Sequence, residues 1–333
     1  MRIVLQESQY GVASINSLSR CTRTGCRDGG EALLGHARAA LGRKILKRFW
    51  VISDLQQSDP LNSERCLRTA VADHRDLSLE CDAIWYLGDA IERQDEEAIR
   101  TMCGIHLQYL QPLAVPVRYV MGNHEFDLYR SRVNEGSLQG PGEDFPFWNT
   151  VRSVPGWRTI ESVDQFFFVE DIGEFLVVFF SDHGDPAGRW FTTHGEARGA
   201  ADYPYGAEEY ARVREMIAGS GKPVITASHY ALAGGARPSA LLNQLLPLPD
   251  TVRLHLHGHS HIGDQVWGGK DCYRKIACVD HQAIPQVNIS SLENTRGNSI
   301  RSAYLEIYED LSFGVWFRNH MKKRWEDAYL SGG

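Results

Sequence analysis

The sequence predicts an α/β fold with a mainly parallel sheet. From Arg48 onward, short apolar runs of strand length ("RFWVIS", "AIWYL", "VPVRYVM") alternate with stretches of helical period around Glu64–Leu77 and Asp95–Leu110. Such alternation implies βαβ crossovers, whose helices cover the sheet they connect. At 333 residues, 43% hydrophobic and 23% charged, the chain is long enough to bury a sizeable core.

Met1–Arg27 shows no sustained period, while "EALLGHARAALGRKILKRF" sets Leu33, Leu34, Ala37, Leu41 and Ile45 near helical spacing among basic residues. Residues 1–47 are expected to form a basic extension, peripheral or poorly ordered, with a transit peptide as the alternative reading. The folded domain is expected over residues 48–333. Within it Phe126–Trp157 breaks the rhythm with Gly, Pro and aromatics, which reads as an irregular insertion. Its aromatics Phe126, Tyr129, Phe145, Phe147 and Trp148 are expected to form a satellite cluster under a long loop. "QFFFVEDIGEFLVVFF" then suits a hairpin turning at Gly173. "AEEYARVREMIA" reads as a helix, "PVITAS" and "VRLHLH" as strands, and "SAYLEIYED" with "FGVWFR" as closing antiparallel strands.

The net charge of −7 is unevenly spread: residues 1–48 hold nine Lys/Arg against three Asp/Glu, the remainder 26 against 39. An acidic body argues against an extended phosphate-backbone footprint, so nucleic acid is a disfavoured partner. The seven cysteines are odd in number and lack C-x-x-C spacing, which points to reduced thiols in a cytoplasmic setting. No run of about 18 apolar residues occurs, and no apolar h-region follows the start, so neither a membrane span nor a secretory signal is expected.

What stands behind each strand is chemically one-sided, and open α/β sheets bind ligands beyond the carboxyl ends of their strands. "VISDLQ" supplies Asp54 and Gln56; "YLGDAIER" supplies Asp89, Glu92 and Arg93; "VMGNHE" supplies Asn123 and His124. "TASHY" adds His229, and "LHGHSH" adds His259 and His261. Singly, an Asp after a strand is more often a cap or turn former, and a lone His a satisfied polar residue. Together, two carboxylates, an amide oxygen and three imidazoles form the mixed O/N donor set that Mn²⁺, Fe²⁺ and Zn²⁺ accept. His255 and His257 face one side of their strand and read as supporting residues. Asp182, His183 and Asp185 in "FSDHGDP" read as a substrate-side or structural loop.

The order D-x-Q, G-D-x-x-E-R, G-N-H-E, an isolated His and G-H-x-H, running from Arg48 to about Arg318, resembles the calcineurin-like metallophosphoesterase superfamily. The resemblance implies a four-layer αββα sandwich with two central mixed sheets and a dinuclear metal site on the strand-end loops. It implies that Asp54 and His261 bind the first of two divalent metals, Asp89 bridges both, and Asn123, His229 and His259 complete the second site. His124 matches the histidine that protonates the leaving group, and Glu92 the carboxylate that orients it. Arg93 falls where some members bind phosphate, with Gln94 in place of the glycine expected next. Most members read D-x-H where this chain reads Asp54-Leu55-Gln56. A glutamine oxygen is harder and weaker than imidazole, which favours Mn²⁺ among Mn, Fe and Zn.

The reaction so implied is hydrolysis of a small-molecule phosphomonoester or phosphodiester by a metal-bridging hydroxide, with His124 as general acid. The alternatives are a pyrophosphohydrolase or nuclease of the same fold, and a non-catalytic metal-binding module.

Overall fold

A computed structural model describes residues 6–7, 13–14, 42–92, 96–125, 146–161, 166–181, 189–191, 197–199, 207–232, 245–246, 248–264, 273–277, 283–295 and 297–331. Two mixed sheets pack face to face. In the first, the strand order is Gln6–Glu7, Ala13–Ser14, Arg324–Leu330, Phe313–Asn319, Arg301–Tyr308, Ile45–Ile52, Ala83–Leu87, Val117–Val120, Trp157–Arg158. In the second it is Tyr273–Ala277, Ala283–Asn288, Val252–His257, Val224–Ser228, Leu176–Phe180, Phe167–Asp171.

Parallel pairing joins Ile45–Ile52 to Ala83–Leu87 and on to Val117–Val120, so the carboxyl ends of these three strands share one edge. The second sheet repeats the device: Leu176–Phe180, Val224–Ser228, Val252–His257 and Ala283–Asn288 are parallel neighbours. All five residues of Ala83–Leu87 are buried, as expected for a parallel strand covered on both faces. Antiparallel strands flank each parallel block, which makes both sheets mixed.

The main core lies on both faces of the first sheet: between the sheets Trp85 meets Phe179 edge to face at 5.2 Å, and outside it the covering helices pack residues such as Leu67, Met102 and Trp148. Helices Pro60–Leu77, Glu96–Leu110 and Pro146–Ser153 cover the outer face of the first sheet, and Ala207–Ala218 packs Tyr210, Val213 and Ile217 on the second. This is the four-layer αββα arrangement. Pro60–Leu77 begins where the Asp59 carboxylate accepts the Leu61 N–H at 3.0 Å, and ends at left-handed Ser78.

The hairpin is present, turning through Gly173 at φ 97° between Phe167–Asp171 and Leu176–Phe180. Three expectations need correction. The helical spacing that included Ile45 is overridden, because Ile45–Ile52 is a strand held between Arg301–Tyr308 and Ala83–Leu87. The stretch 126–157 contains a helix, Pro146–Ser153. Its Phe147 and Trp148 form no satellite; they lie in the main core, with Phe147 5.5 Å from both the His106 and Tyr119 rings. Strands Arg324–Leu330, Tyr273–Ala277 and Ala283–Asn288 were not anticipated. Leu33–Leu41, Phe126, Tyr129, Phe145, Asp182, His183 and Asp185 lie outside the described residues.

Candidate dinuclear metal centre

Backbone hydrogen bonds stitch the two strand-end edges together. Leu292 N–H donates to the Ser53 carbonyl at 2.9 Å and Glu293 N–H to that of Asp54 at 3.2 Å, while within the second edge Gly258 N–H donates to the His229 carbonyl at 3.1 Å. The loops so joined carry nearly every residue singled out from the strand ends. Four of the nine non-glycine residues with positive φ among the described residues are Asp54 (56°), Asp89 (52°), His259 (66°) and His261 (39°). Left-handed backbone at side chains of this size is strained, and such strain clusters at functional sites. The approach is close enough to require glycine: a Cβ on Gly88 would lie 2.7 Å from His229 Nδ1, and one on Gly258 would collide with Ser53 and Asp54.

Among the described residues, two groups of side chains could hold metal ions. In one, His229 Nε2 stands 3.1 Å from each of Asp89 Oδ2, Asn123 Oδ1 and His259 Nδ1. A single N–H cannot serve three directions, so a cation among these atoms fits better than any set of hydrogen bonds. In the other, His261 Nε2 lies 3.1 Å from Asp54 Oδ1, and Asp89 belongs to this group as well. Gln56 enters it with Nε2 3.0 Å from His261 Nε2 and 3.2 Å from Asp89 Oδ2, while its buried Oε1 has no hydrogen-bond partner.

The electrostatics also call for positive charge. Burial opposes protonation of His229 and His261, yet the aspartates beside them outweigh it and raise these imidazoles to about 9 and about 10. Burial likewise opposes charge on Asp54, but His261 holds its carboxyl below the ordinary range. His259, desolvated and facing His229, is lowered to about 3. Metal ions displace such protons when they bind.

His124 is buried beside the candidate ligands, its Nδ1 2.7 Å from Glu92 Oε1 and its Nε2 3.7 Å from Asp89 Oδ2. Arg93 lies outside the described residues. His255 hydrogen-bonds within its own sheet, to Thr226 Oγ1 at 2.9 Å, and stacks on His257.

Two carboxylates with clear parts in the site had gone unassigned. Glu125, the last letter of G-N-H-E, accepts the backbone N–H groups of Asp89 (3.0 Å), Ala90 (2.6 Å), Ile91 (3.2 Å) and Gly122 (2.6 Å). It thereby ties the Asp89 loop to the Asn123 loop, and burial followed by repulsion from Asp89 raises it to about 7. Its spacing from Gly122 was the available signal. Glu293 contacts His261 Nδ1 at 2.5 Å, and the strand before it was unrecognised, so nothing pointed to it.

The family model for calcineurin-like phosphoesterases matches residues 47–263, a stretch holding every candidate ligand from Asp54 to His261. Among solved structures, the chain is similar to a dimetal phosphatase from Danio rerio at 16% identity and TM-score 0.56, over 87% of this chain and 100% of that one. It is also similar to a purple acid phosphatase from yellow lupin (Lupinus luteus) seeds, at 14% identity and TM-score 0.53, over 86% of this chain and 53% of that one. At these identities the likeness is one of fold. No curated protein matches by sequence. With a donor set suited to two cations between the sheets, and a family match enclosing it, the chain belongs to the calcineurin-like phosphoesterases, hydrolases of phosphoester bonds with a dinuclear divalent metal centre.

Proposed function

We propose that the chain hydrolyses a small-molecule phosphomonoester or phosphodiester, with Asp54, Gln56, Asp89 and His261 holding one divalent cation and Asp89, Asn123, His229 and His259 the other. The convergence of three donor atoms on His229 Nε2, each at 3.1 Å, carries this reading. For Gln56, half a turn of the amide brings the unpartnered Oε1 to the place its nitrogen occupies, facing His261 and Asp89. A neutral, hard amide oxygen there favours Mn²⁺ over Zn²⁺.

When bound, the two cations would neutralise phosphate charge and activate water for in-line attack. The remaining work falls to side chains. Glu92 fixes the His124 ring through Nδ1, which leaves Nε2 to give its proton to the leaving oxygen. Burial lowers the affinity of His124 for that proton, and Asp89 with Glu92 outweighs burial and raises it to about 9. Neutralising Asp89 would return His124 toward neutral pH, where a general acid works best. Arg93, next to Glu92 in the sequence, is assigned to the phosphate.

The His124–Glu92 pair weighs against a non-catalytic module, which has no use for an oriented proton donor. Free thiols at Cys66, Cys81 and Cys103 fit a reducing compartment such as the cytoplasm. No helix among the described residues is long and apolar enough to cross a membrane.

The test is turnover of metal-stripped protein reloaded with Mn²⁺, Fe²⁺ or Zn²⁺ on p-nitrophenyl phosphate, bis-p-nitrophenyl phosphate, cyclic nucleotides, dinucleoside polyphosphates and single-stranded DNA. Highest activity with Mn²⁺ on a simple ester is expected. Preference for a dinucleoside polyphosphate or for DNA would move the assignment to the pyrophosphohydrolase or nuclease. Absence of turnover on all would leave a metal-binding module.

A further inference from the structure

We infer that Glu293 is a positioning residue that selectively strengthens the metal site of Asp54, Gln56 and His261. This rests on the dinuclear reading above and concerns a residue beyond the stretch matched by the family model, residues 47–263.

Glu293 is buried, and its carboxylate is held from several sides. Oε1 lies 2.5 Å from His261 Nδ1 and accepts Asn298 Nδ2–H at 3.0 Å, while Oε2 accepts the Thr295 hydroxyl at 2.5 Å. Its own N–H donates to the Asp54 carbonyl at 3.2 Å, so the residue touches two members of the same site.

A carboxylate behind an imidazole fixes the Nδ1–H tautomer, aims Nε2 at the metal and makes that nitrogen a stronger donor. In the other site His229 Nδ1 instead lies 2.8 Å from the Leu87 carbonyl, a neutral dipole. The site that contains a weak amide ligand therefore has its imidazole backed by a buried charge. Glu293 compensates for Gln56.

Calorimetric titration of metal-stripped protein with Mn²⁺ tests this, comparing wild type with Glu293→Gln and Glu293→Ala. Glu293→Gln keeps an acceptor for Nδ1–H and removes the charge; it should weaken one of two binding steps by about 10- to 100-fold and leave the other unchanged. Glu293→Ala should weaken the same step at least as far. Thermal unfolding of the metal-free proteins is the control that separates positioning from a structural clamp, and Glu293→Gln should unfold near the wild-type temperature. Equal weakening of both steps with a lowered metal-free unfolding temperature would make Glu293 a clamp between loops. Unchanged titrations would deny it any part. A wild-type protein that binds fewer than two Mn²⁺ would overturn the dinuclear reading itself, and that result is visible before any substitution is compared.

Discussion

His124 and Asp89 are tied twice: Asp89 Oδ1 accepts the His124 backbone N–H at 3.0 Å, and Asp89 Oδ2 lies 3.7 Å from the ring nitrogen Nε2. The backbone bond survives His124→Ala, so bound metal should be nearly unchanged while turnover falls by about 10²- to 10⁴-fold on an alkyl phosphate. On p-nitrophenyl phosphate the loss should shrink, because p-nitrophenolate leaves without a proton. Equal losses on the two substrates, measured beside metal content, would remove the general-acid role. At this scale the candidate ligands were legible because each stands directly behind an apolar strand. Glu125 was visible as a letter of its motif but not as a clamp, since its four partners are backbone N–H groups of two loops.

The helix Pro60–Leu77 docks on the first sheet through buried polar side chains as well as apolar ones. Asp73 pairs with Arg318 at 2.8 and 2.9 Å and accepts from His320 Nδ1 at 2.9 Å; His74 stacks on Trp50 at 4.4 Å. Burial lowers His74 to about 4. Between about pH 6.5 and 4 the unfolded chain therefore binds a proton there that the folded chain refuses, so stability falls as pH drops through that window. Burial works against the Asp73 charge, but Arg318 and His320 outweigh it and hold the carboxyl at about 2. Its contribution is complete above about pH 4 and is lost between about 4 and 2. Asp73→Asn should lower stability at pH 7 by about 2–4 kcal/mol and flatten the acid limb below pH 4, as read from urea unfolding at a series of pH values. A limb as steep as in wild type would show that other carboxylates dominate acid unfolding. The helix and its end at Leu77 were readable from period, though it starts at Pro60, four residues before the expected Glu64; the docking was not, because Arg318 and His320 lie some 250 residues away.

The candidate metal centre also bears on the stability of the whole molecule, because its candidate ligands come from loops of both sheets. Ions that bind only the folded state stabilise it by about 4 kcal/mol per site when free metal is a thousandfold above Kd. Chelation should thus abolish turnover and lower Tm by several degrees, and Mn²⁺ should restore both. Measured by scanning calorimetry, a Tm indifferent to chelation would mean that the centre contributes nothing to holding the sheets together.

The alternation of apolar runs with helical stretches determined an α/β fold, because strand and helix periods are local properties of the chain. Polar residues behind those runs likewise exposed the donor set, since a parallel sheet brings the carboxyl ends of its strands to one edge. Tertiary structure decided what local pattern could not. Ile45 continues a helical spacing from Leu33, Leu34, Ala37 and Leu41 yet begins a strand, because Arg301–Tyr308 and Ala83–Leu87 supply that strand with backbone partners. Phe147 and Trp148 sit in a polar, glycine-rich stretch yet fill the main core, because the Tyr119 and His106 surfaces offered apolar area to cover. The short strand Tyr273–Ala277 became an element only through pairing with Ala283–Asn288. Glu293 reaches His261 only because Val252–His257 and Ala283–Asn288 pair in parallel and bring the loops behind them to one edge, and hydrogen bonds between distant loops leave no periodic trace in a sequence.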